Sequence, residues 1–184
     1  MTQDAEKMIE RAGRVCYKST ANITDTSARE FVKRLKASGH GSVLEHGVAT
    51  FLFVTNRGVT HELVRHRLAS YSQESTRYVR YQDVEYIEPT WYADATDKQK
   101  GAFEEALKYS EYYYNKLLKD GWRPEQAREV LPNALKTEIV MTANLREWMH
   151  VFSLRCSSKA HLQIRELMWM AKRRLAYEVP SLFG

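Results

Sequence analysis

Residues 136–155 read KTEIVMTANLREWMHVFSLR, and the fold class turns on a change of pattern partway along this run. Over 136–141 the run is short, apolar and partly β-branched, as a buried strand is. Asn144 then offers the short oxygen-bearing side chain that closes the first turn of a helix, and predicts a helix from there to about 153. A second run, VATFLFV over 48–54, is apolar at consecutive positions and predicts a strand buried on both faces. Helical patterns surround these two strands. Ala5, Met8, Ile9 and Ala12 space a helix over 4–16. A second over 27–37, capped by Thr26 or Ser27 and stopped by Gly39, turns Phe31, Val32 and Leu35 inward. Thr60 predicts the cap of a helix through HELVRHR, with Val59 and Leu63 on its buried side, and TRYVRYQDVEYIEP after it reads as extended. Phe103, Ala106, Leu107, Tyr114 and Leu117 stripe a long helix over 97–119 that Gly121 ends. Pro124 opens a short helix closed by Pro132, and a final helix covers 159–177. A few strands among long helices, without regular alternation, predict an α+β (mixed α/β) fold: a small central sheet in a single domain over 1–184.

Bulk properties exclude several classes. With 43% hydrophobic residues the composition is that of an ordinary globular chain. The longest apolar run, around Phe51–Val54, is far too short to span a bilayer, and MTQDAEKMIERAG lacks the apolar core of a signal peptide. Cys16 and Cys156 make neither a disulfide framework nor a zinc site, so reduced thiols and a cytoplasmic location are expected. Net charge is +5, from 28 basic and 23 acidic residues, a surplus that suits nucleic acid and anionic small molecules equally.

Chemistry concentrates in RHRLASYSQESTRY, residues 65–78. His61-Glu62 with His66 is a near miss of the zincin motif. That motif needs histidines four apart, where this chain has Arg65, and His66 is five away; no metal site is expected. Only 8 glycines are present, with no GxGxxG and no Walker sequence, so any phosphate must be held by arginines and hydroxyls. Glu62 precedes Arg65 by three and His66 by four, the spacing at which a helical carboxylate orients both. Arg65, His66 and Arg67 then lead into Ser70, Ser72, Gln73 and Ser75, and Arg77 lies two beyond Ser75, on the same side of an extended segment. Guanidinium groups recognise phosphate or carbonyl in bidentate fashion, and hydroxyls and amides read the rest of a polar ligand. Residue chemistry favours a small-anion site over a solvated face by a narrow margin. Arg128 in PEQAREVLP, Arg146, and Arg155 in SLRCSS supply cations for a ligand with several anionic groups. Cys156 is read as a small residue at a helix junction, not as a nucleophile.

Arg65-His66-Arg67, seven residues, then Ser75 resembles the signature of the flavin-dependent thymidylate synthases. GHGSVLEH (around His40 to His46), REVLP, NLREWMHVFSLR and KAHLQIREL match further blocks in the family's order. The resemblance implies a homotetramer of mixed α/β subunits with sites shared between chains. Each site would bind FAD, dUMP, methylenetetrahydrofolate and NADPH, and convert dUMP to dTMP by reductive methylation. It also implies roles. Ser42, Arg65, His66, Arg67, Gln73, Asn144, Arg146 and His150 would hold the flavin. Glu62, Arg65, Gln73, Glu74, Ser75, Thr76, Arg77 and Arg128 would surround dUMP. Arg155 would polarise the uracil, and His40 would lie near flavin and folate. Four positions depart from the family's commonest pattern: Glu62 for an amide, Ser72-Gln73 for an Asn-Glu pair, Thr76 for a glycine, His150 for asparagine. The pattern also begins at the first helix, where relatives usually carry a leading strand at one sheet edge.

Two rival readings stand beside this one. A basic nucleic-acid module would use Arg65, Arg67, Arg77 and Arg80 with Tyr71, Tyr78 and Tyr81 as stacking platforms. A flavin- and folate-dependent RNA uridine methyltransferase would keep the chemistry and change the substrate. Glu62 and Glu74 among the cations argue against the first, and the matched nucleotide positions favour a free mononucleotide over the second. No nucleic-acid or membrane partner is expected.

Overall fold

The change of pattern at Asn144 is where the strand meets the helix. In the computed structural model, which describes Met1–Gly184, strand β3 runs Lys136–Asn144 and helix α6 follows over Leu145–Arg155. Asn144 Oδ1 accepts from the Glu147 N–H at 2.8 Å, so one short amide satisfies an otherwise orphaned helix donor. The other elements are α1 (Ala5–Cys16), α2 (Ser27–Ala37), β1 (Val48–Asn56), α3 (Arg57–Leu63), β2 (Ala69–Gln73), α4 (Asp97–Lys119), α5 (Pro124–Ala127), α7 (Leu162–Glu178) and α8 (Pro180–Phe183). The expected α+β class is observed, with one three-stranded antiparallel sheet in the order β1-β3-β2. Its β1–β3 register is read from Leu145 N donating to Gly47 O at 2.8 Å and Arg57 N to Leu135 O at 3.1 Å.

By its contacts the chain forms two compact units. The first is Met1–Phe51, His66–Ser70 and Met141–Gly184; the second is Leu52–Arg65 and Tyr71–Val140. In the first, Trp148 is fully buried on α6 and its indole donates to Ala49 O at 3.1 Å. Phe51 and Phe152 pack on it at 5.1 and 5.5 Å between centroids, an aromatic cluster that adds specific geometry to area burial. Ile9 of α1, Leu145 of α6, and Ile164, Met168 and Leu175 of α7 complete this core. The core of the second unit is Val84, Tyr114, Ala127 and Leu135, covered by Tyr81, Tyr86, Leu117 and Leu131.

Local signals worked where the chain carries its own punctuation. Thr96 and Gln99 form a reciprocal capping box on α4, and the expected helix stops Gly39 and Gly121 take φ of +72° and +94°, a region in which a Cβ would be strained. Other expectations are corrected. Asn56, not Thr60, caps α3, accepting from Val59 N at 2.9 Å; Thr60 instead donates to Arg57 O inside the helix. That helix ends at Leu63, so Arg65, His66 and Arg67 lie in the turn beyond it. β1 buries Ala49, Phe53 and Thr55, yet Leu52 and Val54 are 59% and 49% exposed. Burial alternates along it, so this antiparallel strand is covered on one face only and its run of apolar residues overstated its burial. TRYVRYQDVEYIEP is irregular, with a single bridge from Tyr86 to Leu135. The last long helix begins at Leu162 instead of 159, and Arg155 closes α6 instead of following it.

Candidate functional site

Each unit gathers one set of the anticipated residues. In the first unit the turn after α3 buries His66, 5% exposed, between exposed Arg65 and Arg67. Arg155, 89 residues away on α6, donates from Nε to His66 Nε2 at 3.0 Å. Side chains on a helix lean toward its N-terminus, so Arg155 reaches back along α6. On the other side of the ring, His66 Nδ1 lies 3.8 Å from Glu147 Oε1, and Glu147 is 6% exposed. His150 meets His66 edge to face at 6.2 Å between ring centroids. Burial, then the Arg155 cation, then His150 push the His66 imidazole down to about 4, so at neutral pH it is uncharged. His66, Glu147 and His150 bring their ligand atoms within 4.8 Å of one another, but a guanidinium against His66 opposes a dication there.

The GHGSVLEH block forms a 3₁₀ turn over Gly41–His46. It lines one wall of a cavity of about 400 Å³ holding His40, Ser42 and Arg146, with Tyr17 and Cys16 beside them. A Cβ on Gly41 would stand 3.0 Å from Arg146 Nε; glycine there lets the guanidinium lie against the backbone. Arg146 pairs with Glu45 at 2.7 Å. His40 stacks on Tyr17 at 6.3 Å, with Nδ1 3.4 Å from the phenol oxygen. A guanidinium, a hydroxyl and ring faces around a cavity of this size suit a cofactor with an anionic linkage and a planar ring.

The second unit collects the 72–77 segment with Arg128. Arg128 Nη1 donates to Thr76 Oγ1 at 3.2 Å, and Ser75 Oγ accepts from the Arg77 N–H at 3.2 Å. Arg77 pairs with Glu125 at 2.9 Å and lies 5.2 Å from the Tyr78 ring centroid. Glu74 accepts from Tyr81 at 2.7 Å. Burial, reinforced by that carboxylate, drives the Tyr81 phenol up to about 12. Arg57 holds the Glu74 carbonyl at 2.8 Å. Gln73 turns its amide onto Thr60 and Thr137, at 2.9 and 3.3 Å. Glu62 is half-buried at the end of α3.

Three of the four departures from the family pattern therefore have partners of their own: Thr76 with Arg128, Gln73 with Thr60 and Thr137, His150 with His66. Asn144, anticipated as a flavin contact, spends its amide oxygen on capping α6. The residues that sequence reasoning passed over are Glu147, Tyr17 and Arg57. Only Glu147 carried a signal, as the acidic third residue of a helix whose cap was recognised. Cys156 is half-buried, and burial pushes its thiol up, the opposite of an activated nucleophile.

Comparison with known proteins gives the family. The family model described as thymidylate synthase complementing protein matches residues 1–181. The flavin-dependent thymidylate synthase of Geobacter sulfurreducens is 37% identical across 99% of this chain and 82% of its own length. Those of Mycobacteroides abscessus and Corynebacterium glutamicum are 38% and 35% identical, covering 96% and 99% of this chain and 78% and 80% of theirs. The fold is that of an α+β chain with two arginine-centred clusters. With a family match over residues 1–181, this protein belongs to the thymidylate synthase complementing protein family. The nucleic-acid-module reading gains no support from the family match or from these relatives.

Proposed function

We propose that this chain is a flavin-dependent thymidylate synthase: it methylates dUMP to dTMP, taking the carbon unit from methylenetetrahydrofolate and reducing equivalents from NADPH through FAD. The observation that carries the reading is the Arg155–His66 pair at 3.0 Å, which joins the RHR signature to the NLREWMHVFSLR block across 89 residues. On this reading Ser42, Arg67, Arg146 and His150 would hold the flavin, with His40 beside Ser42 and Arg146, and the flavin would supply hydride to the reaction. The other residues prepare the nucleotide. Arg128, Ser75 and Arg77 take the phosphate and sugar, as planar guanidinium and hydroxyl donors do. Arg155 sets a fixed cation where negative charge grows on the uracil, stabilising it without consuming a proton. Neutral His66 accepts from Arg155 and aims it. Sites shared between copies of a homotetramer, and a cytoplasmic setting, belong to the same proposal.

The test is direct. Purified protein should be yellow, and with dUMP labelled by deuterium at carbon-5 it should release the label while forming dTMP. Protein that stays colourless after incubation with FAD and leaves the label in place would end this reading.

A further inference from the structure

We propose that Glu147 is a positioning residue: it fixes the proton of His66 on Nδ1, leaving Nε2 as the acceptor that holds Arg155. The inference rests on the functional reading above for the role of Arg155, and on geometry for the rest. A guanidinium has donors only, so the 3.0 Å contact from Arg155 Nε requires a bare lone pair on His66 Nε2. The single proton of the neutral ring must then sit on Nδ1. A carboxylate faces Nδ1, that of Glu147 at 3.8 Å, in ion-pair range and longer than a hydrogen bond. Both members are buried, at 5% and 6% exposure, where an anion discriminates strongly between N–H and lone pair.

The backbone holds Glu147 where an anion is favourable. It is the third residue of α6, its own N–H is capped by Asn144 at 2.8 Å, and a helix N-terminus stabilises negative charge. One helix thus carries both ends of the line, Glu147 in its first turn and Arg155 at its last residue. His66 bridges them from the turn after α3. Carboxylate, imidazole and guanidinium form a row in which each group sets the hydrogen-bonding sense of the next. This is the logic by which a carboxylate fixes a histidine tautomer elsewhere, with an arginine at the working end in place of a hydroxyl.

Glu147→Gln keeps the shape and replaces one carboxylate oxygen by a donor. A donor facing Nδ1 favours the Nε2–H tautomer, and Nε2–H then points at another donor, releasing Arg155. For Glu147→Gln we expect turnover of dUMP to fall roughly 10- to 100-fold, the range typical when an outer-shell orienting group is lost. The KM for dUMP and the flavin content should stay within about twofold, because Arg155 acts on charge that develops in the transition state. Glu147→Asp should recover part of the loss. Nitrogen-15 NMR of the imidazole, assigned with His66→Gln, reports the tautomer without any turnover: Nδ1–H in the wild-type chain, Nε2–H or a mixture in Glu147→Gln. A wild-type His66 found as Nε2–H overturns the proposal even if the variant does not fold. So does a folded Glu147→Gln that keeps wild-type turnover. A chain that makes no dTMP refutes the functional reading instead, and the NMR result still decides the Glu147–His66–Arg155 arrangement.

Discussion

Acidification should destabilise the folded chain through His66 in particular, and the size of the effect follows from its burial. The unfolded imidazole titrates near 6.5, whereas in the native state burial and Arg155 hold it at about 4. Between these values the unfolded state binds the proton and the native state does not, so stability falls as pH falls. The contribution is fully present above about 6.5, is lost progressively below it, and stops changing once pH drops under about 4. At pH 5 the medium lies about 1.5 below the unfolded value, and at about 1.36 kcal/mol for each tenfold in proton concentration the loss is about 2 kcal/mol. For a chain of this size that lowers the thermal midpoint by roughly 4–8 °C. The assay is urea unfolding at pH 7 and pH 5, at one protein concentration so that any assembly contributes equally. Protonation elsewhere in the chain is cancelled by comparison with His66→Gln, whose amide oxygen can still accept from Arg155 but cannot titrate. The wild-type protein should lose about 2 kcal/mol more than the variant between the two pH values. Equal losses would refute the claim that His66 is buried as a neutral acceptor.

Three further outcomes are expected. Arg155→Ala should abolish dTMP formation and leave flavin absorbance intact; wild-type turnover would remove Arg155 from the chemistry. Ser75→Ala should weaken dUMP binding by roughly tenfold, about the worth of one hydrogen bond to a charged or polar ligand, measurable by calorimetry, and an unchanged dissociation constant would remove that contact. Asn144→Ala should cost about 1 kcal/mol in urea unfolding through loss of the α6 cap, with a larger effect on activity if the residue also touches flavin.

The sequence by itself determined the features that are local. The cap Asn144, the stops Gly39 and Gly121, and the ends of α1, α2 and α4 were legible because neighbouring residues decide them. So were the arginine and hydroxyl blocks in family order, which carried the membership. What only the tertiary structure decided is which charged groups meet. Burial of the one-sided strand β1 depended on which face of the sheet is packed, and Thr60 and Asn56 were both chemically eligible caps, of which the fold uses Asn56. The row Glu147–His66–Arg155 joins residues up to 89 apart, and Thr76–Arg128 joins residues 52 apart. Periodicity says nothing about such distances. An ionisable side chain reads alike whether solvated or buried, and it is the low-dielectric contact formed on folding that makes His66 neutral and gives Arg155 a fixed direction.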